Sequence, residues 1–209
     1  GASYAQASRN IEDGISYAQM GESVLLEVAN LGSRLRELGI AYDNAALLDA
    51  NQEAALDAEA ALIGDTIQNI IDTTDFNTVE VVDSNTATQK AIAYGSLTAN
   101  TTSVGPNVQI AVTNTITTAD AADTAADTLL GKVAEGLGNI AADLTALKAF
   151  QGAASATGAN MAAAGARLID TDFALETASL TKNAILNQAA LAMAAQANAA
   201  QSSILSVLQ

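Results

Sequence analysis

Apolar side chains recur at alternating intervals of four and three residues along the first third of the chain. Residues 5–42 contain no proline, and this spacing places the apolar positions on one face of a long helix. A second run with the same spacing follows residues 43–44 and ends at the turn-forming residues 72–74. The pattern predicts two helices joined by a short turn. The apolar positions are Val24, Val28, Leu31, Leu35, Leu38 and Tyr42 in the first helix, and Leu56, Ala60, Ile63, Ile67 and Ile70 in the second.

The composition changes over residues 76–118, where Thr, Asn, Ser and Val replace Leu and Glu. Three short β-prone runs, at residues 79–82, 91–94 and 108–112, are bounded by Ser, Asn and Gly. These runs predict a small antiparallel β insert. Because so short a segment buries little core by itself, we expect it to rest on the helices.

Helical spacing returns near Thr118, which is predicted to be an N-cap with Asp120 and Asp123 in the first turns. After a Gly- and Ala-rich stretch at residues 152–165, a final helical segment occupies residues 167–209, which contain neither Gly nor Pro. The apolar positions are Leu130, Val133, Leu137, Ile140, Leu144 and Leu147 in the third helix, and Leu186, Ala190, Met193, Ala197, Ala200, Ile204 and Val207 in the final segment.

The end of the chain lacks charge: residues 183–209 include no Asp, Glu, Lys or Arg. Ten of them are Asn, Gln or Ser, too many polar groups for a stable helix in lipid, whereas the Ala-rich face suits close approach to another helix. We therefore expect this segment to be buried against protein in an assembly.

Composition and charge exclude several classes of function. The 209-residue chain contains no His and no Cys, which removes Ser-His and Cys-His catalysis, disulfides, and zinc or haem sites built on those ligands. The net charge of −15 repels nucleic acid and anionic membranes. We expect no enzyme activity, no cofactor, no nucleic-acid or membrane partner, and a mainly α, elongated antiparallel helical bundle or coiled coil with a small β-hairpin insert.

Several motifs have simpler interpretations than a functional site. The apolar faces suit any monomeric bundle. Asp120, Asp123 and Asp127 share a helix face, and a solvated acidic face is favoured over a cation site. Arg34, Arg36 and Glu37 flank the apolar face of the first helix, either as a solvated surface with local ion pairs or as a contact patch.

Taken together, the two ends of the chain resemble bacterial flagellin. Near the start, Gln6-Ala7-Ser8-Arg9-Asn10, Asp13-Gly14-Ile15-Ser16 and Arg34-Leu35-Arg36-Glu37-Leu38 are similar to the family's N-terminal helical region. Asp75-Phe76-Asn77-Thr78-Val79 is similar to the family's Phe-Asn-Gly signal, with Thr78 where the family usually has Gly.

The second half of the chain carries a matching series of motifs. Residues 166–174, Ala-Arg-Leu-Ile-Asp-Thr-Asp-Phe-Ala, resemble the family's entry into its last helix. Residues 185–189, 195–198 and 205–208 look like its Ile-Leu-Gln-Gln-Ala, Ala-Gln-Ala-Asn and Leu-Ser-Leu-Leu. Several spaced matches in one order are more specific than any single one. The resemblance covers about residues 5–82 and 119–209.

The resemblance implies a structural protein that self-assembles into the helical flagellar filament outside the cell, after export by the flagellar secretion apparatus. It implies that residues 1–72 and 119–165 form the two parts of a helical bundle domain, that residues 73–118 form the β-rich insert, and that residues 166–209 form the inner-core helix. Implied partners are other flagellin subunits, a flagellar export chaperone, and the filament cap and junction proteins.

The resemblance also suggests site residues. Arg34, Arg36, Glu37 and Leu38 are expected at a subunit contact, where an innate immune Toll-like receptor docks on some family members. Receptor activation is expected to be weak because Gly32 and Ser33 replace the commoner Leu-Gln. The expected assembly or chaperone-binding face of the last helix consists of Leu186, Met193, Ala197, Ile204 and Val207.

Two alternatives remain open at this point: a hook-filament junction protein, and a flagellin-like cell-surface adhesin or glycan receptor. Compared with the family, the chain is expected to lack the N-terminal inner-core segment and to have little or no outer domain. A form without that segment is expected not to build native filaments by itself.

Overall fold

The computed structural model describes residues 2–95, 100–112 and 116–207. Three helices are long: α1 (Ala2–Tyr42), α2 (Ala50–Thr73) and α3 (Ala122–Val207). Two 3-10 turns, Ala45–Leu47 and Ala119–Ala121, precede α2 and α3. Four short strands lie between α2 and α3: β1 (Asp75–Phe76), β2 (Val79–Glu80), β3 (Lys90–Ala93) and β4 (Thr101–Val104). The chain divides into two compact units, Gly1–Gly158 and Ala159–Gln209.

The first unit is an antiparallel helical bundle whose core follows the predicted spacing. The α1 and α3 helices run in opposite directions, as three contacts show. Gly39 of α1 lies against Asp123 of α3, Gly32 against Leu130, and Gly21 against Ile140. Seven of the predicted apolar positions, which lie on all three helices, are at most 1% exposed. They are Val28, Leu35, Ala60, Ile67, Val133, Ile140 and Leu147.

The N-terminus of α2 is capped by Asp49, with Gln52 three residues later. The side chain of Asp49 accepts hydrogen bonds from the backbone N–H groups of Asn51 and Gln52, and the Gln52 side chain accepts one from the Asp49 N–H. This reciprocal pattern is a capping box, which satisfies backbone donors that the first helical turn leaves unpaired.

The start of the third helical region differs from the prediction. Thr118 occupies the N-cap position of the 3-10 turn, but its side chain makes no capping hydrogen bond. The Ala119 N–H instead donates to Asp57 Oδ1 of α2, at 2.7 Å. A carboxylate from a neighbouring helix thus does the capping, which a local sequence pattern cannot show. The Gly- and Ala-rich stretch at residues 152–165 lies within α3 and is helical.

The insert consists of two antiparallel hairpins, β1–β2 and β3–β4. The expected strand at residues 108–112 is wrong: Val108 and Ile110 are buried in the core, but this stretch pairs with no strand among the described residues. The Ile110 N–H donates to the Asp83 carbonyl oxygen, and Gln109 Nε2 to the Ser84 carbonyl oxygen. Hydrogen bonds to residues 83 and 84 therefore hold this stretch without strand pairing.

The other two predicted strands are shifted, and two strands, β1 and β4, were not predicted. The run at 79–82 forms a strand only over Val79–Glu80, because the adjacent Val81 and Val82 both enter the core instead of alternating. The run at 91–94 corresponds to β3, Lys90–Ala93, whose partner β4 was not predicted.

Aromatic side chains hold the insert on the bundle. Tyr17 of α1 packs edge to face with Phe76, with ring centroids 6.1 Å apart, and its hydroxyl donates to the Glu80 carbonyl oxygen at 3.0 Å. Burial, with a smaller contribution from the Glu80 carboxylate, raises the pKa of Tyr17 to about 12. Tyr94 stacks on Phe150 of α3 with ring centroids 4.0 Å apart. The insert thus rests on the helices, as expected.

Candidate assembly surfaces

The first candidate surface is a charged patch on α1, in which Arg34 bridges two helices. Its Nη2 lies 2.7 Å from Glu59 Oε1 of α2, and its Nη1 lies 3.0 Å from Glu37 Oε2. Hydrogen bonds to Glu59 first, and then to Glu37, raise the pKa of Arg34 above its usual value. Since the arginine side chain is about half exposed, this cluster contributes little to stability, and its main effect is to fix the side chain's direction.

Arg36 makes the corresponding contact with the third helix. Its Nε lies 2.9 Å from Asp127 Oδ1 of α3, and both side chains are more than half exposed. Sequence reasoning placed the two arginines and Glu37 on the outer face correctly but missed Glu59 as a partner. Asp127 was noticed only as part of an acidic series. No group of three or more metal-ligating side chains occurs in the parts of the chain that the structure describes.

Leu38 does not belong to this surface. Its side chain is 2% exposed and lies in the core of the first unit, as its place in the four-three spacing requires. The expectation that Leu38 makes an outside contact is therefore wrong. Gly32 is also buried, and a Cβ there would lie 3.2 Å from Leu130 Cδ2, so the residue type at position 32 affects helix packing and not the outer face.

The second candidate surface is the helix of the second unit. From Ala159 to Ser202 every residue is exposed except Gly165, which is half-buried. Leu186 and Met193 are 56% and 71% exposed, and Ala197 is exposed. Ile204 and Val207 lie within α3, but their side chains fall outside the described residues.

Exposed apolar side chains extend well before Leu186, which sequence reasoning missed. At about 100° per residue, all of them except Ile185 fall into two stripes along the helix, separated by roughly 125°. The first stripe is Met161, Leu168, Leu175, Leu186, Met193 and Ala197. The second stripe is Ile169, Phe173, Leu180 and Leu191. Intervals of seven and eleven residues keep the first stripe straight, and these intervals were readable from the sequence.

These features describe a protein that presents surfaces rather than a reaction site. The described residues hold a helical bundle with a charged patch, and a helix with two uncovered apolar stripes. No helix in the described ranges is both long and apolar enough to cross a membrane. Apolar stripes this extensive on a helix are typical of surfaces that another protein covers. The class that the fold defines is that of helical subunits of an assembly.

Comparison with known proteins identifies the family. Residues 2–87 match the bacterial flagellin N-terminal helical region, and residues 120–208 match the bacterial flagellin C-terminal helical region. The flagellin of Halalkalibacterium halodurans is 33% identical, over 98% of this chain and 78% of its own length. The flagellin of Bacillus subtilis strain 168 is 30% identical, over 97% and 80%. The chain belongs to the bacterial flagellin family.

Other relatives agree on the role and the fold. The flagellar filament core protein flaB2 of Brachyspira hyodysenteriae is 28% identical, over 98% of this chain and 79% of its own length. The crystal structure of Bacillus cereus flagellin shares the fold, with a TM-score of 0.50 over 75% of this chain and 94% of that one, at 22% identity. The protein is a structural subunit of the flagellar filament, which lies outside the cell.

Proposed function

We propose that this subunit polymerises mainly through the two apolar stripes of its second unit. The observation that carries the proposal is their exposure: the large apolar side chains on the first stripe are between 49% and 71% exposed, and none of the described residues of the second unit covers them. An isolated helix gains little stability from propensity, so a covered position is strongly favoured over an open one. Covering a large apolar side chain contributes about 1.5–3 kcal/mol.

The absence of charge supports the same proposal. Residues 183–209 contain no ionisable side chain, although the whole chain carries a net charge of −15. Burying an unpaired charge at a subunit interface is costly, so an uncharged segment suits the part of the subunit that loses water completely. The acidic side chains then belong to the surfaces that stay in contact with water.

Seeded elongation tests this assignment. The chain as the cell makes it is added to sheared filament seeds, and filament growth is measured by light scattering. Leu186→Asp places one carboxylate on the first stripe, and Gln188→Asp places the same carboxylate on a different side of the same helix. We expect the first variant to stop elongation and the second to retain it. Equal elongation by both variants would refute the first stripe as an assembly surface.

The α1 patch is proposed as a second, polar contact between subunits. Arg34, Arg36 and Glu37 are exposed and already oriented by Glu59 and Asp127, which lowers the entropy lost when a partner binds. Replacing both arginines with Ala should slow elongation while changing subunit stability by less than about 1 kcal/mol. Arg9→Ala, at an exposed arginine bonded to Gln6, serves as the control. Unchanged elongation in the double variant would remove the patch from the proposal.

We also propose how the subunit reaches the filament. The first stripe, including Leu186, Met193 and Ala197, suits a flagellar export chaperone that covers it in a helix-in-groove mode before passage through the secretion apparatus. Chaperone affinity should fall for Leu186→Asp and for a chain lacking residues 172–209. Unchanged affinity for the shortened chain would disprove this role. The filament cap and junction proteins are the proposed neighbours at the filament ends.

Engagement of an innate immune Toll-like receptor by the α1 patch is expected to be weak. Leu38 is buried, and Arg34 and Arg36 are engaged in ion pairs that a receptor would have to replace. A reporter-cell assay that gives as strong a signal as an enteric flagellin would contradict this.

A further inference from the structure

The three methionines of the chain differ sharply in exposure. Met20 is half-buried and packs against the core of the first unit. Met161 is 49% exposed and Met193 is 71% exposed, and both lie on the first stripe. The chain contains no Cys, His or Trp, so the thioether sulfurs are its most readily oxidised groups toward two-electron oxidants.

Met193 combines the highest exposure with the most sensitive position. It lies within the uncharged segment at residues 183–209, two helical turns after Leu186. On the first stripe, its neighbours Leu186 and Ala197 offer no side-chain donor. Of the residues three and four positions away, only Gln196 carries one, and it lies about 60° around the helix from Met193, off the stripe. A polar oxygen created at this sulfur would find no hydrogen-bond partner on its own stripe when the stripe is covered.

We propose that Met193 is an oxidation site at which peroxides block assembly of the free subunit. Hydrogen peroxide transfers one oxygen atom to the thioether sulfur, so that the sulfur is oxidised to the sulfoxide by two electrons and the peroxide is reduced to water. The sulfoxide is polar and bonded to water in the free subunit. Covering the stripe removes that water without replacing its hydrogen bond, which opposes assembly.

Exposure of Met193 depends on whether the subunit is free or already in the filament. In the unassembled subunit the sulfur is open to solvent, whereas the covered stripe of the filament excludes the oxidant. Peroxide should therefore act on subunits before incorporation and spare filaments already formed. This step rests on the proposed role of the first stripe in assembly.

The test uses the full chain with Met161→Leu, so that Met193 is the only exposed methionine. Subunits are treated with hydrogen peroxide, the oxygen gain at Met193 and Met20 is measured by peptide mass spectrometry, and seeded elongation is followed by light scattering. We expect oxidation at Met193 ahead of Met20, and elongation slowed at least about tenfold. The matched variant with Met193→Leu added should elongate equally well before and after treatment.

Three outcomes would overturn this inference without touching the assembly proposal. If the variant with Met193→Leu loses elongation after peroxide as much as its parent does, oxidation acts elsewhere and the inference is overturned. An untreated Met193→Gln variant places a polar group at the same position without any oxidant. If that variant elongates as well as the parent, a polar group at position 193 does not block assembly and the inference is overturned, whereas the role of the stripe is tested separately by Leu186→Asp. Oxidation of Met20 at the same rate as Met193 would likewise overturn the inference.

Discussion

The two units of this flagellin carry the same kind of apolar spacing but use it differently. In the first unit, Leu35, Ile67 and Ile140 are at most 1% exposed, because three helices lie against one another within a single chain. In the second unit, Leu168, Leu186 and Met193 occupy an equally regular stripe and are more than half exposed. Periodicity therefore specifies which face of a helix will be covered, but not whether the covering partner belongs to the same chain.

The polar faces of the two units differ as well. Those of the first unit carry ion pairs between helices, such as Arg34 with Glu59 and Arg36 with Asp127. The end of the second unit, residues 183–209, carries no charge. A surface that stays wet tolerates charge at little cost, whereas a surface that loses its water does not. Charge thus indicates what periodicity does not, which is whether a surface stays in water or is covered by a partner.

The largest expected effect comes from truncating one leucine in each unit. Leu147→Ala should lower the free energy of unfolding by about 2–5 kcal/mol, because Leu147 is fully buried and its removal leaves a cavity. Leu186→Ala should change it by less than about 0.5 kcal/mol, since the side chain is already in water. Urea unfolding followed by circular dichroism measures both. Equal losses would mean that the second unit is packed within the single chain.

Adding a methyl group at a close helix contact should have the next largest effect. A Cβ at Gly39 of α1 would overlap the backbone nitrogen of Asp123, at the start of α3. Because backbone cannot rotate away as a side chain can, Gly39→Ala should cost about 1–3 kcal/mol of stability.

Gly138→Ala is the matched control for this contact. No heavy atom lies within 4 Å of a Cβ at Gly138, which is exposed in the middle of α3. Replacing a mid-helix glycine there should raise stability by up to about 1 kcal/mol. Thermal unfolding measures both the loss of stability expected for Gly39→Ala and the gain expected for Gly138→Ala. A loss at both positions would contradict this explanation, because helix propensity favours alanine at each and Gly138 has no close contact to explain a loss.

The sequence predicted the helices well because their spacing persists over many turns. The positions of Leu35 and Ile140 needed no knowledge of the rest of the chain. The strands were predicted poorly because each is short and depends on a partner. Val108 and Ile110 alternate and are buried, but none of the described strands pairs with them. Thr101–Val104 lacks an apolar pattern and forms a strand by pairing with Lys90–Ala93.

The candidate surfaces were predictable to a different degree. The outward direction of Arg34 and Arg36 followed from the apolar spacing, but their partners Glu59 and Asp127 lie on other helices, and no local pattern indicates them. The burial of Leu38 was readable from the same spacing and contradicted its assignment to a contact. The capping of Ala119 by Asp57 depends on tertiary packing and could not be read locally.

The turn between β1 and β2 offers a smaller, stabilising change. Asn77 and Thr78 both have positive φ, at 51° and 65°, in the two-residue turn between the paired residues Phe76 and Val79. A β-branched residue is strained there, whereas glycine is not. Thr78→Gly should raise stability by about 1 kcal/mol in thermal unfolding. Thr101→Gly, within β4, should lower it, and a loss at both positions would show that the turn is unstrained.

The smallest expected effect is a pH dependence at the loop that joins the insert to α3. Asp143 Oδ2 accepts a hydrogen bond from the Gly105 N–H at 2.9 Å, yet burial outweighs this bond and raises the pKa of Asp143 above its usual value. The folded state then holds this proton more tightly than the unfolded state, so stability falls as pH rises from the unfolded pKa of about 4 through the raised folded pKa. Asp143→Asn should remove that fall and, because its amide oxygen still accepts from Gly105, should leave the loop in place.

Asp83, which lies in the insert, has a pKa shift opposite in sign to that of Asp143. Hydrogen bonds from Thr86 and Asn85 lower the pKa of Asp83, so its contribution is present above the unfolded pKa and is lost as pH falls through the lowered one. Asp83→Asn should therefore remove the loss of stability that Asp83 causes as the pH falls. Asp143→Asn should remove the gain in stability that Asp143 causes as the pH falls. Urea unfolding at a series of pH values between about 3 and 7 distinguishes the two. If both variants shift the profile in the same direction, burial does not dominate at Asp143, and the Gly105 hydrogen bond sets its charge state.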